Sequence, residues 1–286
     1  MARFSERLAE NADGEFFVDA SCIDCDTCRQ LAPDVFARAD RVGMSVVRHQ
    51  PVPEEVERAL MALVACPTSS IGTVHKHDVR AAARRFPERI GEDVYYCGFT
   101  SRDSFGASSY LIRRPGGNVL VDSPRVTRVL CERIKELGGV RWLFLTHRDD
   151  VADHQQLHAR FGCERVMHRA DAPPGIERLI DGLDPIALAD DLLIVPVPGH
   201  TRGSAALLHR EILFSGDHLC AEDDGQLNAS RSVCWYSWRE QTASMQRLLA
   251  HSFTQVLPGH GKKFGAPSAM AMRKELARLI QQMRSR

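Results

Sequence analysis

Short apolar runs alternate with charged, turn-rich intervals along the whole chain. Residues 15–19 (Glu-Phe-Phe-Val-Asp) and 42–48 read as strands. Residues 53–65 open on a proline and two acids and set Val56, Leu60, Leu63 and Val64 on one helical face. Residues 79–86 carry three alanines and three arginines and stop at Pro87, which places a domain boundary near residue 88. The expected units are 1–88 and 89–286. Further on, residues 108–113 and 119–122 flank a Pro115-Gly116-Gly117-Asn118 turn and predict a hairpin. Residues 126–137 predict an amphipathic helix that ends at Gly138-Gly139. Strand and helix patterns then alternate, the signature of α/β layering. Ser237 to Glu240 forms a capping box for a helix to about Ala250, and Pro267 sits in the first turn of a last helix through Met283.

Composition narrows the field. The chain has 286 residues, 44% of them hydrophobic, enough for a real core and for one large or two unequal domains. Its 37 basic and 37 acidic side chains cancel. The balance also holds locally, with 12 basic and 14 acidic groups through residue 90 and 25 and 23 beyond. No basic surplus exists for nucleic acid to meet. The longest apolar run, Ala59 to Cys66, has eight residues, too few for a membrane span. The charged start, Met1-Ala-Arg-Phe-Ser-Glu-Arg7, leads into no signal-type apolar core, so a cytoplasmic protein is expected. The nine cysteines are an odd count and fit a disulfide framework poorly.

Their positions suggest metal chemistry. Cys22, Cys25 and Cys28 form a C-x2-C-x2-C loop that can offer three thiolates from one side, and Cys66-Pro67, at the end of a helix pattern, can supply a fourth. A structural zinc site is the competing interpretation, but zinc knuckles pair two C-x2-C units and only one region here has the motif. Residues 15–75 resemble a single-cluster bacterial-type ferredoxin domain. The resemblance implies a [4Fe–4S] cluster on Cys22, Cys25, Cys28 and Cys66 and a role in electron transfer or sensing. Asp19, Asp24, Asp26 and Asp34 give the region a ferredoxin-like acidic setting.

A second pattern lies beyond residue 140. Four apolar, strand-like runs each end just before a metal-type ligand: residues 140–146 before His147, 192–198 before His200, 211–216 before Asp217 and 253–258 before His260. Strand ends gather at one edge of a sheet, where loops on a rigid scaffold build sites. Asp153-His154 adds two further donors at the start of a helix pattern. One strand-end histidine is usually a surface residue; four such ends are a constellation.

Residues 94–264 resemble the metallo-β-lactamase fold superfamily, to which glyoxalase II belongs. The motifs are Thr146-His147 with Asp153-His154, Pro198-Gly-His200-Thr-Arg-Gly203-Ser204, Ser215-Gly-Asp217 and Leu257-Pro-Gly-His260-Gly261. The resemblance implies an αββα sandwich after a small ferredoxin-like βαβ-type domain. It also implies one or two zinc ions, or iron, held by His147, Asp149, Asp153, His154, His200, Asp217 and His260. Asp122 becomes a structural aspartate, Asp217 a bridge and Asp153 a catalytic ligand that orients the nucleophile. One departure stands out. The superfamily reads H-x-H-x-D-H, whereas this chain reads His147-Arg-Asp149-Asp150-Val-Ala-Asp153-His154. Asp149 then takes the place of a histidine and two residues are inserted. Alternatively, Asp149 and Asp150 are a helix cap and a first-turn acid.

Zinc lowers the pKa of its bound water toward about 7, and a metal pair can polarise a carbonyl or phosphoryl oxygen. The expectation is therefore a hydrolase of an ester, thioester, lactone or phosphoester, acting on a small molecule, with an appended cluster. The alternative is an iron-containing redox enzyme served by the cluster and by a redox partner protein; a third reading is a degenerate, non-catalytic scaffold. His218 is either a substrate or ligand contact or an ordinary loop histidine. The aromatics around Cys234-Trp-Tyr-Ser-Trp238 are expected mainly in packing.

Overall fold

The computed structural model describes residues 2–285. The expected hairpin forms, Tyr110–Ile112 pairing antiparallel with Val119–Val121. It lies inside a seven-stranded sheet ordered Arg178–Ile180, Glu164–His168, Trp142–Leu145, Val119–Val121, Tyr110–Ile112, Val94–Tyr96, Glu88–Arg89. A six-stranded sheet faces it, ordered Ile186–Ala189, Leu192–Pro196, Ala205–His209, Ile212–Gly216, Gln255–Pro258, Phe264–Gly265. Val119–Val121, Trp142–Leu145 and Glu164–His168 run parallel, as do Ile212–Gly216 and Gln255–Pro258. Parallel neighbours need crossovers, and helices supply them.

The helices of the described residues are α1 (Thr27–Leu31), α2 (Val56–Ala65), α3 (Arg80–Arg84), α4 (Arg128–Glu136), α5 (His154–Phe161), α6 (Trp238–Leu248) and α7 (Ala269–Ser285). Thr127 caps α4 by accepting the Leu130 N–H, and Ser237 caps α6 by accepting that of Glu240, as the capping box predicts. Met245 and Leu248 of α6 and Leu276 and Leu279 of α7 bury against Val195, Leu213 and Val256 of the six-stranded sheet. Leu130 and Ile134 of α4 and Leu157 of α5 join the core of the seven-stranded sheet. The result is a helix–sheet–sheet–helix sandwich. No helix among the described residues is long and apolar enough to cross a membrane.

In the N-terminal part, Phe16–Val18 pairs antiparallel with Ile71–Thr73, and Phe36–Ala39 with Met44–Val47, around α1 and α2. The β/α unit therefore closes on an antiparallel pair instead of a parallel βαβ crossover. The chain enters the large sheet at Glu88–Arg89, and the apolar core continues across that point without a break. Phe86 is fully buried, with its ring 5.6 Å from Phe99 and 6.0 Å from Tyr96. Burying such a side chain contributes roughly 1.5–3 kcal/mol.

Candidate metal centres

The cysteine loop curls because Asp24 and Asp26 take positive φ, 58° and 67°. Short polar side chains tolerate this left-handed region better than most. Arg29 holds both carboxylates, at 2.7 and 2.6 Å, and Arg38 reaches Asp24 at 2.8 Å. Cys28 then starts in the first turn of α1, and Cys66 is the residue that ends α2. Cys22, Cys25, Cys28 and Cys66 line one small cavity with Val18, Ile71 and Pro67. Backbone N–H groups approach two of the sulfurs, Asp24 to Cys22 at 3.5 Å and Ser70 to Cys66 at 3.3 Å. Burial pushes the Cys25 thiol up to about 11 and the Cys28 thiol higher still. Thiols as desolvated as these two ionise only against a bound cation, and four cysteines around one cavity suit an iron–sulfur cluster.

The second centre gathers six side chains. His147, His200 and Asp217 each offer a donor atom within 4.8 Å of the others; so do Asp150, Asp217 and His260. Asp217 belongs to both groups. Asp149 reaches His200 Nε2 at 3.2 Å and His147 Nε2 at 3.8 Å. Among the described residues, the buried atoms His147 Nε2, both Asp150 oxygens, Asp217 Oδ1 and His260 Nε2 have no hydrogen-bond partner. Unsatisfied buried donors and acceptors are costly, so their convergence is the structural argument for cations.

Electrostatics agree. Burial raises the Asp150 carboxyl well above the usual range, and Asp217 adds to it. Asp217 resists burial because His260 and His147 hold it well below that range. Burial opposes charge on His147, but Asp150 and Asp217 outweigh it and lift its pKa to about 10. Asp217 lifts His260 to about 10 against the same opposition. Protons thus fill the place of positive charge that bound metal would supply.

Other residues fix the ligands. Asp122 Oδ1 accepts the Thr146 N–H at 2.8 Å, and the Thr146 hydroxyl lies 3.0 Å from both Asp122 oxygens. That hydroxyl sits 2.9 Å from His147 Nδ1, which turns Nε2 toward the centre. Asp171 accepts from Gly203 N at 2.9 Å and Arg148 N at 3.3 Å and bonds the Thr201 hydroxyl, so it ties the His200 loop to the His147 turn. Gly259 is required for space: a Cβ there would lie 2.5 Å from Asp217 Oδ1 and 2.7 Å from Asp150 Oδ2.

Two of the expected ligands are elsewhere. Asp153 immediately precedes α5; its Oδ2 accepts the Val126 N–H at 2.6 Å and its Oδ1 the Gln156 amide at 3.0 Å. His154 is turned toward Arg165, with Nδ1 at 3.2 Å from Nη1. Neither belongs to the two donor groups. The reason is local: the chain leaves His147 in a 3-10 turn, Arg148–Asp150, which aims Asp150 inward and leaves Asp153 to serve the helix end. Asp150, read from sequence only as a first-turn acid, is the buried carboxylate of the second group. The Asp-Asp pair after His147 was the available signal. Asp171 had none, since it lies in a loop with no motif.

The aromatic expectation also changes. Trp235 is 59% and Tyr236 49% exposed, so they face solvent and do not fill the core. Both backbone N–H groups bond the His200 carbonyl, which sets the Trp235 ring 6.4 Å from that of His200. His218 is fully buried, with burial lowering its pKa to about 3.

Residues 18–73 match the family described as the 4Fe-4S single cluster domain of ferredoxin I. A hydroxyacylglutathione hydrolase from Fuscovulum blasticum is 34% identical over 156 residues, 51% of this chain and 60% of that protein. The acyl-coenzyme A thioesterase MBLAC2 of Gallus gallus is 36% identical over 112 residues, 36% of this chain and 38% of its own. The chain thus spans less than two thirds of the length of the curated relatives it matches. The DIM-1 metallo-β-lactamase structure exposed to ceftazidime superposes with a TM-score of 0.54 at 20% identity, covering 68% of this chain and 95% of its own. The chain has the metallo-β-lactamase fold, preceded by a ferredoxin-type segment.

Proposed function

We propose that this chain is a metal-dependent hydrolase whose first substrate class is a thioester of a small molecule. The observation that carries the reading is the convergence of unpartnered buried donors on Asp217 at the ends of four strands. His147, Asp149, His200 and Asp217 would hold one ion, and Asp150, Asp217 and His260 a second. Zinc bound there supplies a water of pKa about 7 and polarises the carbonyl it attacks. Asp217, common to both donor groups, would be shared between the two ions. Asp150, fully buried, would offer its carboxylate to the second ion, and Asp149, half-exposed at the first, would be placed to accept a proton on the oxygen not committed to that ion. Thr146 keeps the proton of His147 on Nδ1. The two curated relatives, a hydroxyacylglutathione hydrolase and an acyl-coenzyme A thioesterase by name, support thioester over the other bond classes.

The test is hydrolysis of a thioester panel by zinc-loaded protein, with Asp217→Asn as control. Metal-dependent release of free thiol, lost in the variant, supports the reading; no turnover on any thioester, ester, lactone or phosphoester overturns it. One observation favours a second reading, an iron enzyme exchanging electrons with the cluster. Asp149 stands where the superfamily has an imidazole, and carboxylates favour harder ions. Zinc at this centre, with iron confined to the cysteines, excludes it.

A further inference from the structure

Residues 101–108 lie between the two centres and touch both. Gly106, at φ +87°, packs on the cysteine cradle: a Cβ there would lie 2.5 Å from Cys25 Cβ and 3.2 Å from Pro67 Cγ. Thr27 Oγ1, from the same cradle, donates to the Gly106 carbonyl at 3.4 Å. Further along, Ser108 N donates to the Gly259 carbonyl at 2.7 Å. Gly259 in turn faces Asp217 and Asp150. The turn Arg102–Ser104 packs against Arg148–Asp150, the turn that carries Asp149 and Asp150. A separate bridge runs outside this segment: Gln30 Nε2, on α1, donates to the Gly261 carbonyl at 2.9 Å, next to His260. A groove beside Gly261 has both Cys25 and His260 in its walls.

We propose that Gly106 and Gln30 are positioning residues that couple the two centres, so that an occupied cysteine cradle tightens metal binding at the histidine–aspartate centre. This regulation rests on the reading of both centres given above. The physical argument is mechanical. Occupancy fixes Cys25, which is the surface Gly106 rests on. Gly106 seats the segment whose Ser108 N–H, together with Gln30, fixes the two carbonyls flanking His260. Those carbonyls set the turn that brings His260 and Asp217 together. Without a cluster the Cys25 thiol is anchored through its 3.5 Å bond to Thr27 Oγ1, a weaker brace for the surface beneath Gly106 and for Gln30, which bonds Asp26 of the same loop at 3.2 Å. Coupling of binding equilibria is reciprocal, so metal at the second centre must act on the cradle to the same degree.

The probe is manganese(II), which prefers carboxylate and imidazole and is held poorly by thiolates. Its affinity is measured by electron paramagnetic resonance on the full chain with the cluster loaded and again with it removed. The expected ratio is about tenfold in favour of the loaded form. In the loaded protein, manganese should also change the visible circular dichroism of the cluster, a response that a purely structural role for these residues would not give. Gly106→Ala should abolish both effects. Gln30→Ala, which alters no proposed ligand and no tight turn, should reduce both with the cluster retained, and it carries the test where the glycine variant does not fold. Tight manganese binding that is equal in both forms overturns the coupling and leaves the metal centre standing. So does a ratio unchanged by Gln30→Ala together with a silent dichroism spectrum. Absence of manganese binding in either form overturns the coupling and the centre together.

Discussion

The sulfur cradle and the imidazole–carboxylate centre are assembled in opposite ways. Three of the four cradle ligands come from one seven-residue loop, Cys22 to Cys28, and the fourth from the end of one adjacent helix. The second centre draws on four loops spread from His147 to His260, brought together by two sheets. The cradle is held mainly by local contacts, such as the Arg29 bridges to Asp24 and Asp26. The other centre depends on distant ones, such as Asp171 and Tyr110, whose hydroxyl donates to the Pro258 carbonyl at 2.8 Å. A locally coded site should tolerate changes elsewhere in the fold. A tertiary one should fail when any of its supports is removed.

The largest expected effect breaks the tertiary centre at its shared ligand. Asp217→Asn should lower kcat/KM for thioester hydrolysis by about 10³-fold or more, since several kcal/mol of metal-derived stabilisation is lost. Iron content and cluster absorption should stay unchanged. Next is a contrast between neighbours. Asp150→Asn should lower zinc affinity by at least about 100-fold, the scale of an altered metal site. Asp153→Ala should leave zinc content intact and cost about 1 kcal/mol in denaturant unfolding, the scale of a lost hydrogen bond, here that from the Val126 N–H. Equal zinc loss in both variants would restore Asp153 as a ligand.

This contrast marks where the sequence was readable. Spacing within one loop sufficed for the cysteines, because a C-x2-C-x2-C run has few other uses. Strand ends and their glycines were enough to single out His147, His200, Asp217 and His260, whose donor atoms the fold brings together. The register after His147 was not legible. Whether the chain leaves a strand in a 3-10 turn or continues toward a helix decides whether Asp150 or Asp153 points inward, and both sequences look acidic. Asp171 was invisible for a similar reason: its partners are N–H groups of two other loops, and backbone partners leave no trace in residue spacing. The exposed Trp235 and Tyr236 were misjudged because aromatic density usually signals packing, whereas here the backbone is tied to His200. The continuous core across residue 88 was equally hidden, since a proline and a change of pattern mark a boundary in sequence without marking one in packing.

A smaller effect tests the supports. Asp171→Asn should lower hydrolysis or zinc affinity by about 10–100-fold, as loss of an outer hydrogen-bonding partner does. Thr146→Val, which removes the bond to His147 Nδ1, should act at the lower end, about tenfold. Neither should bleach the cluster's visible absorption. A cluster that bleaches in either variant would mean that the cradle is not locally built.

The most direct test of two chemically distinct centres is metal analysis of anaerobically purified protein, run side by side on the unmodified chain, Cys28→Ala and Asp217→Asn with zinc supplied in excess. The account predicts iron, sulfide and charge-transfer absorption together with zinc in the unmodified chain. It predicts zinc without the cluster in Cys28→Ala, and the cluster without zinc in Asp217→Asn. A colourless unmodified protein, or variants that lose both metals alike whichever ligand is removed, would contradict it.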